Sequence, residues 1–297
     1  MQVIKDWTYK FSKDNKPAAH AADGEIVKFV TVDCFNGQIR KDSDLAGDID
    51  FDRTNPATGP LYVEGAAPGD ALGVDILHID VADHGAVCTL EGMGPLWPSC
   101  VKRTHVLPTT DGYITFKDVK WPVDTMIGVI GTAPDGADVS SGYVFNGGGN
   151  MDSRKIRQGV TLWLPVRVPG ALLAMGDMHA TMGDGEVVGT GVEISGEIIV
   201  RVHLAKHCLL NWPVTETRHA WYVNTCGPTC DEAIAAGYKE MQRLISQAYG
   251  WDMTDTAMYM SIQGYLESNQ ACLTADEGGD TFRVGTPKVA SKPRLIG

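Results

Sequence analysis

Short segments with the alternating or β-branched pattern of strands recur along most of this chain, and they limit what it can fold into. Alternation places every second side chain on one face, as in a β-strand with one buried side. The predicted strands lie within residues 25–32, 59–65, 71–79, 161–165, 171–174 and 192–204. The 34 glycines and 15 prolines suit the turns that would join them. The sequence therefore predicts a mainly β protein.

Helical spacing of apolar residues occurs only near the end of the chain. The apolar residues that recur at this spacing are Ala233, Ile234, Tyr238, Met241, Leu244 and Ile245. Thr229 or Asp231 is expected to cap this helix at its N-terminus, and Gly250 is expected to end it. A second helix is predicted over 256–266, with Asp255 near its start.

No internal repeat, low-complexity tract or linker divides the 297 residues. We therefore predict one domain over 1–297, with a β-rich core at about 20–225, a helical part at about 229–267 and a basic, loosely held tail at 287–297. A chain of this length can bury a substantial core, and strand-rich chains do so by packing sheets together. The expected fold is a β-sandwich of two sheets with a helical C-terminal part.

The net charge of −12 argues against nucleic acid as a partner, because phosphate binding requires a basic surface. An anionic membrane is disfavoured for the same reason, and no segment has the length and apolarity of a membrane span. Charged residues at the N-terminus stand where a signal peptide would have its apolar core. With an odd number of cysteines, seven, this predicts a cytoplasmic protein with reduced thiols.

One stretch concentrates groups that bind metals and carry protons. Between residues 176 and 193, glycines are interspersed with Asp177, His179, Asp184, Glu186 and Glu193. Imidazole and carboxylate groups bind Zn²⁺ and similar ions, and they are also the usual acids and bases of hydrolysis. The alternative is an acidic, glycine-rich surface turn between two strands.

Two further clusters are candidates for a site. Asp33 and Cys34 follow a predicted strand, so the carboxylate can reach a pocket or simply close a turn. Cys34 can be a nucleophile or a buried, inert thiol. Gly148, Gly149 and Asn150 belong to a glycine-rich segment whose backbone amides could bind an anion or a developing oxyanion.

Together, the order of these clusters resembles the acetamidase/formamidase family. The motifs that carry the resemblance are Asp33-Cys34-Phe35, Gly148-Gly149-Asn150-Met151-Asp152, Gly159-Val160-Thr161-Leu162-Trp163-Leu164-Pro165-Val166, Pro169-Gly170-Ala171-Leu172-Leu173, Gly176-Asp177-Met178-His179-Ala180 and residues 183–193. The resemblance is dense over 146–197 and extends over 27–266. The segments 91–100 and 261–267 depart from the family pattern, and either can reshape the pocket.

The resemblance implies a sandwich of jelly-roll character and hydrolysis of the C–N bond of small amides to carboxylic acid and ammonia. Formamide-like or acetamide-like linear amides are the expected substrates, and cyclic amides or lactams are the alternative on the same site. It also implies a divalent metal ion, with zinc expected first and calcium second. A homodimer or higher homo-oligomer is expected as well.

Metal-assisted hydrolysis is the working hypothesis for this chemistry. Asp33, Asp177 and His179 are the candidate ligands, leaving a position for water whose pKa the metal would lower to about 7. Glu193 or Glu186 would take the proton from that water and pass it to the leaving nitrogen.

The remaining candidates have supporting roles. Main-chain amides of Gly148, Gly149 and Asn150 could stabilise the oxyanion, and one such donor is typically worth ~3 kcal/mol. Asp152 and Asp184 are expected to orient the ligands through hydrogen bonds.

Two other function classes stay open at this point. A non-catalytic sandwich could bind calcium through the same acidic turns, although His179 is an unusual calcium ligand. A thiol hydrolase acting through Cys34 would be inactivated by alkylation and indifferent to chelators.

Overall fold

A computed structural model describes residues 1–297, and most of its regular structure is β. The strands of the first half are β1 (Gln2–Ile4), β2 (Trp7–Thr8), β3 (Lys10–Phe11), β4 (Ala19–Ala21), β5 (Ile26–Thr31), β6 (Ala57–Val63), β7 (Ala71–Val81), β8 (His84–Cys88), β9 (Thr104–Thr110), β10 (Tyr113–Phe116), β11 (Val119–Pro122), β12 (Met126–Gly131), β13 (Val139–Ser140), β14 (Val144–Phe145) and β15 (Gly148–Asn150). Those of the second half are β16 (Thr161–Pro165), β17 (Leu173–His179), β18 (Glu193–Ile194), β19 (Gly196–Ala205), β20 (Val214–Glu216), β21 (Ala220–Cys226), β22 (Tyr265–Ser268) and β23 (Thr281–Pro287). Two helices, α1 (Cys230–Tyr249) and α2 (Met253–Gln263), lie between β21 and β22.

The strands form two large sheets. The first sheet has nine strands in the order β1-β5-β19-β7-β16-β20-β21-β23-β22. The second sheet has twelve strands, with the path β11-β10-β9-β8-β18-β17-β12-β15-β14 and with β6, β2 and β4 attached beside β17. Strands β3 and β13 form a separate pair. The predicted class, mainly β with helices near the C-terminus, is confirmed.

The main core lies between the two sheets and follows from the alternation in the sequence. In β5, Val27 and Phe29 are fully buried while the intervening Lys28 is only half-buried. These side chains belong to one apolar cluster with Leu173 and Met175 of β17 in the second sheet. Burying one face of each sheet against the other is the usual way in which two β layers are stabilised.

The strand predicted over 192–204 is instead two strands in different sheets. Glu193 pairs with Ala86 of the second sheet, whereas Gly196 pairs with Thr31 of the first. Only Ser195 separates β18 from β19. A side chain at Gly196 would collide with the carbonyl oxygen of Asp80, so glycine allows the chain to pass from one sheet to the other.

The helical part agrees with the capping signals. Thr229 caps α1 by accepting a hydrogen bond from the backbone N–H of Glu232, and Gly250 ends the helix in the left-handed conformation, with φ of 68°. The second helix begins earlier than predicted, because Asp252 rather than Asp255 is its cap. Neither helix combines the length and apolarity that a membrane crossing requires.

Residues 287–297, expected to be loosely held, are packed at their end. Leu295 and Ile296 are buried in the apolar cluster between α1 and the first sheet. Arg294 and Lys288 both form ion pairs with Glu216, at 2.7 and 2.6 Å. Burial of these two apolar side chains holds the end of the basic segment against the protein. The expectation of a loosely held tail is corrected accordingly.

Candidate active site

Sheet pairing brings together acidic side chains from distant segments. Strand β17 carries Asp177 and His179 two residues apart, and His179 lies directly opposite Glu193 of β18. Glu186 belongs to the loop between these strands, and Asp152 follows β15. These five residues, the buried cluster, are each 7% exposed or less.

The imidazole of His179 is at the centre of the buried cluster. Its Nε2 lies 3.0 Å from Glu193 Oε2, 3.7 Å from Asp177 Oδ1 and 3.8 Å from Glu186 Oε1. Two sets of ligand atoms each lie within 4.8 Å of one another, one from Cys34, Asp177 and Glu193 and the other from Asp152, His179 and Glu186. Either set can hold a divalent ion.

Several polar atoms of the buried cluster have no hydrogen-bond partner. They are Nδ1 of His179 and Oδ1 of Asp152, and also His179 Nε2 and Glu193 Oε2, which lie 3.0 Å apart without the alignment of a hydrogen bond. Buried polar atoms are normally hydrogen-bonded, because leaving one unpaired costs about 1–3 kcal/mol. Ligand atoms that converge in this way and stay unsatisfied fit a bound cation, which would accept their lone pairs.

The pKa values of the buried cluster also indicate that its carboxylates outnumber the positive charges near them. Burial raises the pKa of Glu193 to about 8 and that of Glu186 to about 7, against the opposing charge of His179. Burial, followed by the charges of Glu186 and Asp177, holds the pKa of Asp152 well above its usual range. Burial alone would lower the pKa of His179, but Glu193 and Asp177 outweigh it and raise that pKa. The carboxylates cannot all be ionised together unless a cation joins them.

Unusual backbone conformations aim these side chains. Asp152, Asp177 and Glu186 adopt left-handed φ values of 48°, 52° and 43°. Such conformations are uncommon for residues other than glycine, and they persist where the surrounding structure determines them. Three of the five members of the buried cluster are therefore held in conformations that ordinary strands and turns avoid.

The loop that carries Glu186 is held by the C-terminal segment. Gly185 donates its N–H to the carbonyl of Asn269 at 2.7 Å, and Ala271 donates to the carbonyl of Gly185 at 2.8 Å. The Sγ of Cys272 contacts Glu186 Oε2 at 3.6 Å. These contacts position Glu186 from a part of the chain that the sequence did not associate with the site.

Two predicted residues lie outside the buried cluster. Asp33 accepts hydrogen bonds from the backbone N–H groups of Phe35 and Gly37 at 3.0 and 3.1 Å, so its carboxylate closes its own turn. Asp184 is 43% exposed at its side chain and pairs with Arg283 at 2.9 Å. Neither belongs to a set of converging ligand atoms. The structure places Asp152, Glu186 and Glu193, and not Asp33, among the converging side chains.

The glycine-rich segment contributes one residue to the cavity. Gly148 and Gly149 pair with Gly131 and Ile130 in the second sheet, and neither lines the cavity above the buried cluster. Asn150 does line it, and its Oδ1 has no hydrogen-bond partner. Of the three predicted residues, Asn150 is therefore the one that lines the cavity.

Gly128 of β12 is a site residue that the sequence did not reveal. A Cβ at this position would collide with Asp152 Oδ1 and lie 2.7 Å from Asp177 Oδ2. Only a glycine lets both carboxylates approach this strand. A glycine between Ile127 and Val129 in an apolar run was the available signal, since glycine within a strand often marks a close approach.

We expect Gly128→Ala to weaken divalent-ion binding by at least about tenfold, because displaced carboxylates lose their convergence. Overpacking should also lower the free energy of unfolding by about 2 kcal/mol. Calorimetric titration of the chelated protein with Zn²⁺ measures the first effect, and denaturant unfolding the second.

The matched control is Gly136→Ala, where a Cβ meets no atom within 4 Å and φ is not positive. Gly136→Ala should change neither quantity appreciably. Equal ion affinity in both variants would contradict the role given to Gly128.

A cavity of about 380 Å³ opens above the buried cluster. Its floor includes Asp152, Asp177, Glu186 and Glu193, together with the buried thiol of Cys34. Such a concave site, with convergent polar groups and perturbed pKa values, is typical of a catalytic pocket. Fold and cavity together define a mainly β protein with a candidate metal-dependent active site.

Comparison with known proteins identifies the family of this chain. Residues 5–141 and 144–274 match the model of the Acetamidase/Formamidase family. The chain belongs to this family.

Three relatives show how similar this chain is to individual members. A solved structure described as acetamidase from Bacillus halodurans is 35% identical, with a TM-score of 0.92, 96% of this chain covered and 97% of that one. The formamidase of Methylophilus methylotrophus is 25% identical over 62% of this chain, and the chain spans 60% of that protein's length. The acetamidase of Mycolicibacterium smegmatis is 25% identical over 69% of this chain and 68% of its own length.

Proposed function

We propose that this protein hydrolyses the C–N bond of small linear amides to carboxylic acid and ammonia, using a divalent metal ion. The observation that carries the proposal is the buried cluster itself. Four buried carboxylates and a histidine converge below a cavity, and several of their polar atoms are unpaired. The relatives are named for acetamidase and formamidase activity, which supports the same reaction.

The residues present fit a divalent ion. Asp152, Asp177 and His179 would hold it, with Glu186 as a further oxygen ligand where Glu193 carries the proton. A nitrogen ligand among carboxylates suits zinc, whereas calcium prefers oxygen alone. When bound, such an ion polarises the amide carbonyl and makes water more acidic.

Glu193 and Glu186 are the candidates for proton transfer. Both line the cavity, and burial gives both a pKa near neutrality, at about 8 and about 7. A general base is most effective when its pKa lies near the working pH. Glu193 Oε1 accepts the N–H of Gly191 at 2.8 Å and Oε2 lies 3.0 Å from His179 Nε2, so both oxygens are held in position beside the candidate ligands.

Asn150 is suited to bind the substrate amide. Its Nδ2 donates to the carbonyl of Gly142 at 3.3 Å, which fixes the orientation of the side chain. Its Oδ1 has no partner and can accept a hydrogen bond from the NH₂ group of a primary amide.

The thiol alternative is disfavoured by the surroundings of Cys34. Burial, and then the charges of Glu193 and Asp177, raise the pKa of this thiol well above its ordinary value. The thiolate is the nucleophilic form, and it is suppressed here rather than promoted. A calcium-binding sandwich without activity is disfavoured by His179, which stands at the centre of the buried cluster.

The test is ammonia release from formamide, acetamide and propionamide, together with formation of 4-aminobutyrate from 2-pyrrolidinone, whose ring opens without releasing ammonia, before and after chelation. We expect chelation to abolish release, and one of Zn²⁺, Mn²⁺ or Ca²⁺ to restore it. Metal content measured by plasma mass spectrometry should follow activity through the series.

Activity that survives complete removal of metal would refute the metal-dependent mechanism. Hydrolysis of 2-pyrrolidinone alone would assign the site to lactams instead. The homodimer and the cytoplasmic location stay predictions of the resemblance and of the sequence.

A further inference from the structure

The cavity is larger than formamide or acetamide needs. Its volume is about 380 Å³. Acetamide has only four non-hydrogen atoms. The volume lies instead at the lower end of the range of about 300–1,000 Å³ that holds drug-sized ligands.

Part of the lining of the cavity is apolar. We call five of its side chains the apolar rim: Phe51, Leu90, Met93, Tyr143 and Leu273. Phe51 is 54% exposed and Tyr143 is 39% exposed, whereas the buried cluster on the floor is 7% exposed or less. An amide anchored at the floor would therefore extend its other end past the apolar rim.

The apolar rim is assembled from separate parts of the chain. Phe51 belongs to the 3₁₀ turn Phe51–Arg53, and Tyr143 precedes β14. Leu90 and Met93 follow β8, and Leu273 precedes the 3₁₀ turn Ala275–Glu277. Phe51 and Tyr143 are exposed and the other three are half-buried, and apolar side chains gathered around a concave site are typical of a ligand-binding groove.

The charges of the lining exclude one class of substrate. No lysine or arginine lines the cavity, and its upper part carries Asp52 and Glu277. Glu277 accepts hydrogen bonds from the N–H and hydroxyl of Thr274, both at 2.8 Å, which keeps its carboxylate in place. A carboxylate on the substrate would meet like charge here and find no cation to pair with.

We propose that the preferred substrates are uncharged primary amides with an aromatic or bulky apolar acyl group, such as phenylacetamide. The leaving nitrogen departs as ammonia, so the bulk of the substrate must belong to the acyl part. The carboxamide lies at the buried cluster beside Asn150, and the aromatic group contacts the apolar rim. This inference rests on the proposed amidase activity and adds its substrate class.

The test is kcat/KM for acetamide, phenylacetamide, 4-methylphenylacetamide and 4-(carbamoylmethyl)benzoate with the metal-loaded protein. Burial of a phenyl ring should make kcat/KM for phenylacetamide at least about 30-fold higher than for acetamide. The carboxylate-bearing amide should be at least about tenfold worse than the 4-methyl compound of similar size.

Two variants test the contributions of individual lining residues to substrate preference. Leu273→Ala should lower the ratio of kcat/KM for phenylacetamide to that for acetamide by about fivefold, since part of the apolar rim is lost. Asp52→Asn should reduce the difference in kcat/KM between the carboxylate-bearing amide and the 4-methyl amide. The matched control is Ile262→Ala, an apolar residue that is 77% exposed on α2 and does not line the cavity. It should leave all these ratios unchanged.

The outcomes separate this inference from the proposed function. Acetamide hydrolysed as well as or better than phenylacetamide would overturn the substrate class and leave the amidase standing. No ammonia from any of the four amides would overturn both. Equal rates for the charged and 4-methyl amides would refute the electrostatic exclusion.

Discussion

Glu193→Gln is expected to lower kcat for amide hydrolysis by about 10³-fold while the protein stays folded. Glutamine has nearly the same shape, so Oε1 can still accept the N–H of Gly191, but the side chain can no longer take a proton. General-base catalysis contributes about 10²–10⁴-fold, which sets the size of the effect. Steady-state kinetics on the metal-loaded variant measures it.

The matched control for this variant is Glu197→Gln. Glu197 lies in the neighbouring strand β19, and its side chain is 43% exposed and pairs with Lys28 at 2.6 Å. An exposed ion pair contributes little, so this variant should keep full activity and stability. If Glu193→Gln retained its metal and lost less than tenfold in kcat, proton transfer would belong to Glu186 instead.

Arg283→Met is expected to have the largest effect on stability. The Arg283 guanidinium is 1% exposed and pairs with Glu267 at 2.5 Å and Asp184 at 2.9 Å. It also donates to the carbonyl of Ser268 and to Asn269 Oδ1. Breaking a buried pair typically costs about 3–5 kcal/mol, and the partial exposure of both acids places our expectation near about 3 kcal/mol.

The same variant should also lower metal content, because Asp184 lies two residues before Glu186 and anchors its loop. Denaturant unfolding and metal analysis measure the two effects. Arg283→Lys should restore part of the stability, since it keeps the charge but not the forked geometry. Arg201→Met, which removes a half-exposed pair with Asp75 at 4.0 Å, is the matched control and should change neither quantity. Full metal content in Arg283→Met would separate this arginine from the site.

Local patterns in the sequence were sufficient for the fold class and for most of the buried cluster. Alternation identifies strands such as β5 and β7 because burial of one face is a local property of the strand. Asp177, His179, Glu186 and Glu193 are close in sequence, so their density alone indicates a site. Caps such as Thr229 are equally local.

The features that the sequence analysis did not predict depend on pairing between distant segments. Asp33 and Cys34 are neighbours, yet the carboxylate closes a turn while the thiol faces Asp177 and Glu193. A one-residue shift in strand register changes which of two adjacent side chains faces a site. Amino-acid composition does not determine that register. Arg283 and Asp184 are 99 positions apart, and only the finished sheet brings them together.

The single residue between β18 and β19 links reaction rate to the packing of the whole sandwich. Glu193 is carried by the second sheet, and three residues later Gly196 is fixed in the first. A slight slide of the first sheet over the second would therefore displace Glu193, the proposed proton carrier, through this short link. Displacement of a catalytic group by about 1 Å can reduce the rate of the chemical step by about 10²-fold. Core substitutions between the sheets should thus act as kinetic mutations, slowing turnover before they unfold the protein.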